Sequence, residues 1–451
     1  MTLDDKYAEM TQQPVRRLVC RMALPTVVAM VTTAFYNVVD AAFVGRLSTE
    51  GTAGVGVSFA FMTFIQALGF FFGHGSGNFI SRALGARRRD EAGVMASVGF
   101  FTPLLLGFIV VVVCLPSLDG LSRMLGAPSE VVPFASDYLR YIVLASPFMM
   151  SALTLNNQLR LQGNARLGMV GIVGGAIINI VLDPILIFGF DMGVSGASLA
   201  TAISQTLSWS LLLAGTFRPE SVHLRLLNFR PSLHIYYEIV RGGLPSLFRQ
   251  AFNCAAVIIL NHQAARYAGP GQAAAAVAAF AIVSRVMMFV FSVVLGFCQG
   301  FQPVCGYNYG AGLYGRVRQS WLFAITMGTA FLLVASAIGI VFAPEIVALF
   351  RADDPVVISI GSRTLRWQCG AFPLVASFTA TGMLFQNIRM TAPATLLSIC
   401  RNGLFFLPAV LLLPLLLGLH GVEMAQGIAD VLTFLLALPY IIKINRQLQT
   451  A

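Results

Sequence analysis

The chain has 451 residues, 57% of them hydrophobic and only 11% charged, with a net charge of +10. Soluble domains carry roughly 25% charged residues, so this composition excludes an ordinary water-soluble protein and points to an integral membrane protein. A positive balance of this size can mark nucleic-acid binding; here the basic residues sit in short loops between apolar runs, where they set membrane orientation and predict no nucleic-acid partner.

Residues 1–13 are polar and acidic, with no charged-then-apolar presequence, so the first apolar run is expected to stay as structure. A span needs about 20 mostly apolar residues. That pattern recurs at 18–44, 54–81, 92–115, 135–159, 167–189, 194–216, 240–264, 273–302, 319–342, 358–386, 393–417 and 421–443. Arginines cluster after the second, fourth, sixth and eighth of these runs, for example Arg82, Arg87, Arg160, Arg218 and Arg316. Positive loops stay in the cytoplasm, which predicts a multi-pass protein of the plasma (inner) membrane with both termini inside.

The longest polar stretch, about residues 217–238, divides the chain into an amino-terminal lobe, 1–225, and a carboxy-terminal lobe, 226–451. The two resemble each other. Leu24-Pro25 opens the first run and Leu244-Pro245 the seventh, while Gly69, Gly73 and Gly85 recur as Gly296, Gly300 and Gly312 at one constant offset. Six spans per half is an even number, so both halves share one orientation. The expected fold is an all-α integral membrane protein of about twelve transmembrane helices, in two six-helix lobes related by a parallel internal repeat.

Ionisable groups at membrane depth are rare and usually functional. In the first run Thr33, Asn37 and Asp40 share a helix face, flanked by Phe35 and Tyr36, and Pro25 makes a bend inexpensive. In the fifth, Asn179 and Asp183 share a face, and Pro184 cannot donate to the Ile180 carbonyl. Carboxylate, amide and freed carbonyl suit a hard cation such as sodium and equally suit a proton relay. Asn157 and Thr201 are candidates to complete the cluster. The second half lacks these acids; its counterpart to Asp40 falls near Leu260, and its intramembrane charges are Arg249, Arg285, Arg401 and Asp430, read as structural anchors. Phe35, Tyr36, Met149, Met150, Met287 and Met288 are candidates to line a drug-sized cavity, because aromatic and methionine surfaces adapt to varied shapes.

The seven cysteines form no C-x-x-C pair and read as small buried residues, and the five histidines have no metal-ligand spacing. The glycines of Gly73-His74-Gly75-Ser76-Gly77 do not match a nucleotide loop and are expected to allow close helix packing. No Walker motif and no Ser-His-Asp pattern is present, so neither ATP as energy source nor an enzyme is expected.

These residues resemble the multidrug and toxic compound extrusion (MATE) family over nearly the whole chain, within it the prokaryotic DinF/MepA-like branch. The likeness rests on Tyr36-Asn37-Val38-Val39-Asp40 with Phe43-Val44-Gly45, Ala83-Leu84-Gly85-Ala86, Asn179-Ile180-Val181-Leu182-Asp183-Pro184, and Gly300-Phe301-Gln302-Pro303 with Gly306-Tyr307-Asn308-Tyr309-Gly310. The resemblance implies two lobes splayed around a central cavity, and export of cationic amphiphilic compounds by antiport with protons or sodium through alternating access. It implies no cofactor beyond that ion, and carries the ion site over to Asp40, Asn179, Asp183 and Thr201, with Asn157 nearby. If the ion is sodium, Asp40, Asn179, Asp183 and Thr201 are the ligands. The carboxy-terminal acids of some family members, on the seventh and tenth helices, have no counterpart here. The lipid bilayer and small cationic substrates are the expected partners, and twelve helices can enclose a path within one chain, as a monomer. The alternatives are a lipid-linked oligosaccharide flippase of the same superfamily and, from another class, a non-transporting membrane receptor or scaffold.

Overall fold

The computed structural model describes residues 2–351 and 353–450. Twelve helices among them are long and apolar enough to cross a membrane: Val15–Val44, Thr49–Gly85, Arg89–Met124, Val132–Leu161, Ala165–Gly189, Gly193–Thr216, Leu233–Tyr267, Ala273–Gly310, Tyr314–Val341, Pro355–Asn387, Thr391–Leu417 and Leu419–Thr450. They are called the first to twelfth spans below. No strand occurs among the described residues. The helices run past the limits expected from hydropathy, the second to Gly85 and the eighth to Gly310. Apolar runs report only the hydrocarbon depth of about 30 Å, whereas the 38-residue eighth span continues beyond it as a helix at about 1.5 Å per residue.

Local sequence fixes the ends. Ser48 caps the second span, its Oγ accepting from Gly51 N at 3.0 Å. Asp354 caps the tenth by accepting from Val356 N and Val357 N, with Pro355 at the first helical position. Before the first span lies a helix that the sequence reading did not anticipate, Leu3–Gln12. It opens with a reciprocal cap in which Asp5 N donates to Thr2 Oγ1 at 3.2 Å and Thr2 N to Asp5 Oδ2 at 2.7 Å.

The lobes meet through two equivalent contacts. Gly296 and Gly300 of the eighth span lie against Val27 and Ala23 of the first, and Gly75 of the second span lies against Ile239 and Gly242 of the seventh. A two-fold operation that exchanges the lobes turns the first-to-eighth contact into the seventh-to-second one, which is what a parallel repeat requires. Glycine is needed because backbone meets backbone. The expectation that the glycines after Gly73 serve packing holds: Gly73 abuts Asn157 and Gly77 abuts Leu161.

Among the described residues, every side-chain hydrogen bond between the lobes lies toward the arginine-rich ends of the helices. Tyr307 Oη donates to the Gln162 carbonyl at 3.0 Å, Arg82 Nη1 to the Asn387 carbonyl at 2.6 Å, and Arg160 Nη1 to the Gln299 carbonyl at 2.6 Å. Glu238, buried, takes Arg389 from its own lobe and Arg82, at 3.7 Å, from the other. The amino-terminal helix spans both lobes on this side. Lys6 Nζ donates to the Gly163 carbonyl at 3.2 Å, and the Met10 carbonyl accepts from Asn308 Nδ2 at 3.0 Å. Toward the other end, Phe35, Asn37, Arg285 and Met288 on the first and eighth spans are exposed.

Candidate functional site

Asp183 is 0% and Asn179 2% exposed, on the fifth span one helical turn apart. Asn179 Nδ2 donates to Asp183 Oδ1 at 3.3 Å and to Thr201 Oγ1 of the sixth span at 3.4 Å. This fixes the amide orientation and turns Asn179 Oδ1 away from both. The Asp40 carboxyl, from the first span, faces that of Asp183, and the Tyr36 side chain lies beside Thr201 and both carboxyls. The structure therefore brings together Asp40, Tyr36, Asn179, Asp183 and Thr201 from three spans.

The cluster has a surplus of acceptors. Asp40 Oδ1, Asn179 Oδ1 and Asp183 Oδ2 are all buried and receive no hydrogen bond from any described residue. Two carboxylates that face each other repel one another, and unpaired buried acceptors are costly. A proton shared between the carboxyls, or a hard cation held by these oxygens, relieves both problems. Pro184 ends the regular helix immediately after Asp183, and Ile185–Gly189 continues as a wide π-turn, the kind of helical irregularity that marks functional sites. Pro25 sits inside the first span, one helix face of which carries Asp40.

Other candidates fall elsewhere. Asn157, fully buried, has its amide committed to a different network: Nδ2 donates to the Leu153 carbonyl at 2.8 Å and Oδ1 accepts from Arg160 Nη2 at 2.7 Å. Asn37 is exposed, and no hydrogen bond joins it to a described residue. Met149 and Met150 are 3% and 0% exposed inside the core of the amino-terminal lobe, packed with Ile142, Val143 and Ile65. A methionine-rich stretch on a helix buried on most sides is read as core once its burial is known. Met287 packs against the core, whereas Met288 and Phe35 are exposed at 41% and 56%. Cys20 is exposed rather than buried, unlike Cys298, Cys305, Cys369 and Cys400.

The carboxy-terminal lobe is different in kind. Leu260 is apolar packing, as expected. Arg401 Nε donates to Asp430 Oδ1 at 2.9 Å, Gln426 Nε2 donates to the same oxygen at 3.0 Å, and the guanidinium lies 4.8 Å over the Phe291 ring. Asp430 is thus satisfied and Arg401 anchors the eleventh span to the twelfth, the structural role the sequence suggested. Where the lobes touch, sequence reasoning missed His74, Arg160, Glu238, Gln299 and Gln302, all buried. The signal was present: the two glutamines are polar residues inside an apolar window, and Arg160 directly follows the apolar run 135–159.

Comparison with known proteins gives the same frame. The sequence pattern of the MatE family matches residues 25–185 and 245–411. The multidrug export protein MepA of Staphylococcus aureus (strain NCTC 8325 / PS 47) is 28% identical over 440 residues, covering 96% of this chain and 95% of that protein. A crystal structure of a MATE protein in complex with MaL6 superposes with a TM-score of 0.92 at 27% identity, covering 99% of each chain. A multidrug resistance MATE transporter in its outward-facing conformation gives 0.91 at 27% identity, over 98% of this chain and 99% of that one.

Proposed function

This chain belongs to the MatE family, a family of membrane transporters rather than enzymes, and from that premise we propose that it exports cationic amphiphilic compounds by antiport with protons or sodium. The observation that carries this reading is the trio of unpartnered buried oxygens on Asp40, Asn179 and Asp183. A site built with too many acceptors and too much negative charge binds a proton, a sodium ion or an organic cation, and these exclude one another. The similarity to a multidrug export protein supports drugs as the organic cation.

The cycle follows from that competition. With the lobes closed at the arginine-rich end and the cleft open at the other, the state is outward-facing if the arginine-rich loops, and both termini, lie in the cytoplasm. An external proton or sodium occupies the carboxyl cluster and displaces the cationic drug. Neutralised, the amino-terminal lobe bends at Pro25 and Pro184, the contacts at the floor open, and the ion leaves to the cytoplasm. The freed carboxylates then take a cytoplasmic drug. The ion must bind the two states unequally to drive this exchange, and membrane voltage adds about 2.3 kcal/mol per charge per 100 mV to its inward movement. Asn157, Met149 and Met150 have no part in this cycle. The division near residue 225 separates an ion-bearing lobe from one whose intramembrane acid, Asp430, is paired with Arg401, and one chain contains the whole path.

The test is ethidium transport in proteoliposomes, with a proton gradient and a sodium gradient imposed separately. Ethidium movement coupled to either gradient names the ion. Movement coupled to neither, with several lipophilic cations, would refute antiport.

A further inference from the structure

A second polar cluster lies at the floor of the cleft, where the second, fourth, seventh and eighth spans converge. Arg160 is 2% exposed and spends its guanidinium on neutral acceptors only. Nη1 donates to the Gln299 carbonyl at 2.6 Å and to Gln302 Oε1 at 2.8 Å, and Nη2 donates to Asn157 Oδ1 at 2.7 Å and approaches His74 Nε2 at 3.4 Å. His74 Nδ1 lies 3.1 Å from the Phe70 carbonyl, so the ring proton belongs on Nδ1 and Nε2 is a neutral acceptor. The Arg249 charge, from the seventh span, bears on both Arg160 and His74. No hydrogen bond or ion pair joins Arg249 to any described residue, and no carboxylate partners either arginine.

Two donors are left over. Arg160 Nε and Gln302 Nε2 are buried and find no acceptor. Burying the Arg160 guanidinium without a counter-charge, with the half-buried Arg249 adding a second positive charge, is unfavourable, and leaving buried donors unpaired adds to the cost. The constellation is the inverse of the Asp40–Asp183 site: donors and positive charge in excess, acceptors missing.

We propose that Arg160, Arg249 and Gln302 form a binding site for a small anion at the floor of the cleft, filled by a free halide or by the carboxylate of a zwitterionic export substrate. For the second source the inference rests on the export function proposed above; for the first it does not. Arg160 and Gln302 belong to different lobes and meet only when the floor is closed, so an anion held between them favours that state. With the amine of a zwitterion at Asp40 and Asp183, the two sites together select molecules that carry both charges.

The experiment has two arms. Thermal unfolding of the purified protein is compared in sodium chloride and in sodium gluconate at equal ionic strength, for the wild type and Arg249→Gln. Arg249 makes no hydrogen bond to lose, and Arg249→Lys provides a charge-preserving control. Binding of chloride to the folded state alone raises the wild-type Tm by several degrees, and the rise disappears in R249Q and returns in R249K. In proteoliposomes, the ratio of zwitterionic fluoroquinolone transport to ethidium transport falls at least tenfold in R249Q if the carboxylate is the ligand. Chloride stabilisation identifies a free anion, and a selective fall in fluoroquinolone transport identifies the substrate's own carboxylate. Absence of both effects overturns the site. Because the thermal arm needs no transport, failure of the wild type to move any cation would refute the export function and leave the anion site standing.

Discussion

Arg160 Nη1 lies 2.6 Å from the main-chain carbonyl of Gln299, so a buried cation on the fourth span is tied to the backbone of the eighth. The contact crosses from one lobe to the other and can exist only while the floor of the cleft is shut. Its loss should therefore shift a conformational equilibrium as well as lower stability. Replacing Arg160 by methionine leaves Gln302 Oε1 without its donor, a loss of about 1–3 kcal/mol for a buried polar group. The expected result is a larger population open at the arginine-rich end. Double electron–electron resonance between spin labels at the exposed positions 88 and 237 reads that opening directly. An unchanged distance distribution in R160M would show that the bond does not hold the lobes together.

Glu238 occupies the same closed end and is shared by Arg82 of one lobe and Arg389 of the other. Arg82 is itself buried and donates Nη1 to the Asn387 carbonyl at 2.6 Å. Removing one partner of a buried ion pair strands the other charge, at a cost of about 3–5 kcal/mol when both are fully buried. Arg389 is half exposed, so the cost here falls toward the lower end. E238Q should lower the Tm measurably in detergent, and the additional change R82Q should restore part of it. A double variant no more stable than E238Q alone would mean that the pair contributes little.

These closing contacts were the part of the molecule least legible in the sequence. Twelve spans, the repeat and the i,i+4 pair Asn179–Asp183 could be read directly, because apolar length and helical periodicity are local properties. Lobe closure depends on which distant helix faces meet, and no local pattern encodes that. Arg160 looked like an orienting loop charge because it stands at the end of its apolar run; only the eighth span, 139 residues away at Gln299, makes it a buried contact. Asn157 lies four residues before the arginine-rich end of the fourth span, with its side chain turned toward Arg160, whereas Asp40 and Asp183 stand near the opposite ends of their helices. Burial separated the methionines: Met149 and Met288 have the same chemistry, and one is core while the other is exposed.

The carboxyl cluster makes the sharpest functional prediction. Asp40→Asn and Asp183→Asn each remove one negative charge from a pair with more acceptors than donors. Neither change strands a cation, since no arginine or lysine pairs with either carboxyl. Folding should survive, with Tm equal to or above that of the wild type, while gradient-driven ethidium export falls at least tenfold in each variant. Retention of coupled export in both, at wild-type rates, would remove the cluster from the mechanism.

Gly300 tests whether the lobes need backbone contact. A methyl group there would overlap the Cα of Ala23, a part of the first span that cannot rotate aside. Gly56, on the second span, has open space in the same direction. Both positions are helical, so alanine brings the same gain in helix propensity, about 1 kcal/mol, to each. The difference between G300A and G56A therefore isolates the steric effect. Overpacking costs about 1–3 kcal/mol, and that cost is paid only while the floor is closed. G300A should unfold at a lower temperature than G56A and show a wider distance between labels at positions 88 and 237. Equal Tm and equal distances in the two variants would show that the first and eighth spans already stand far enough apart to admit a side chain.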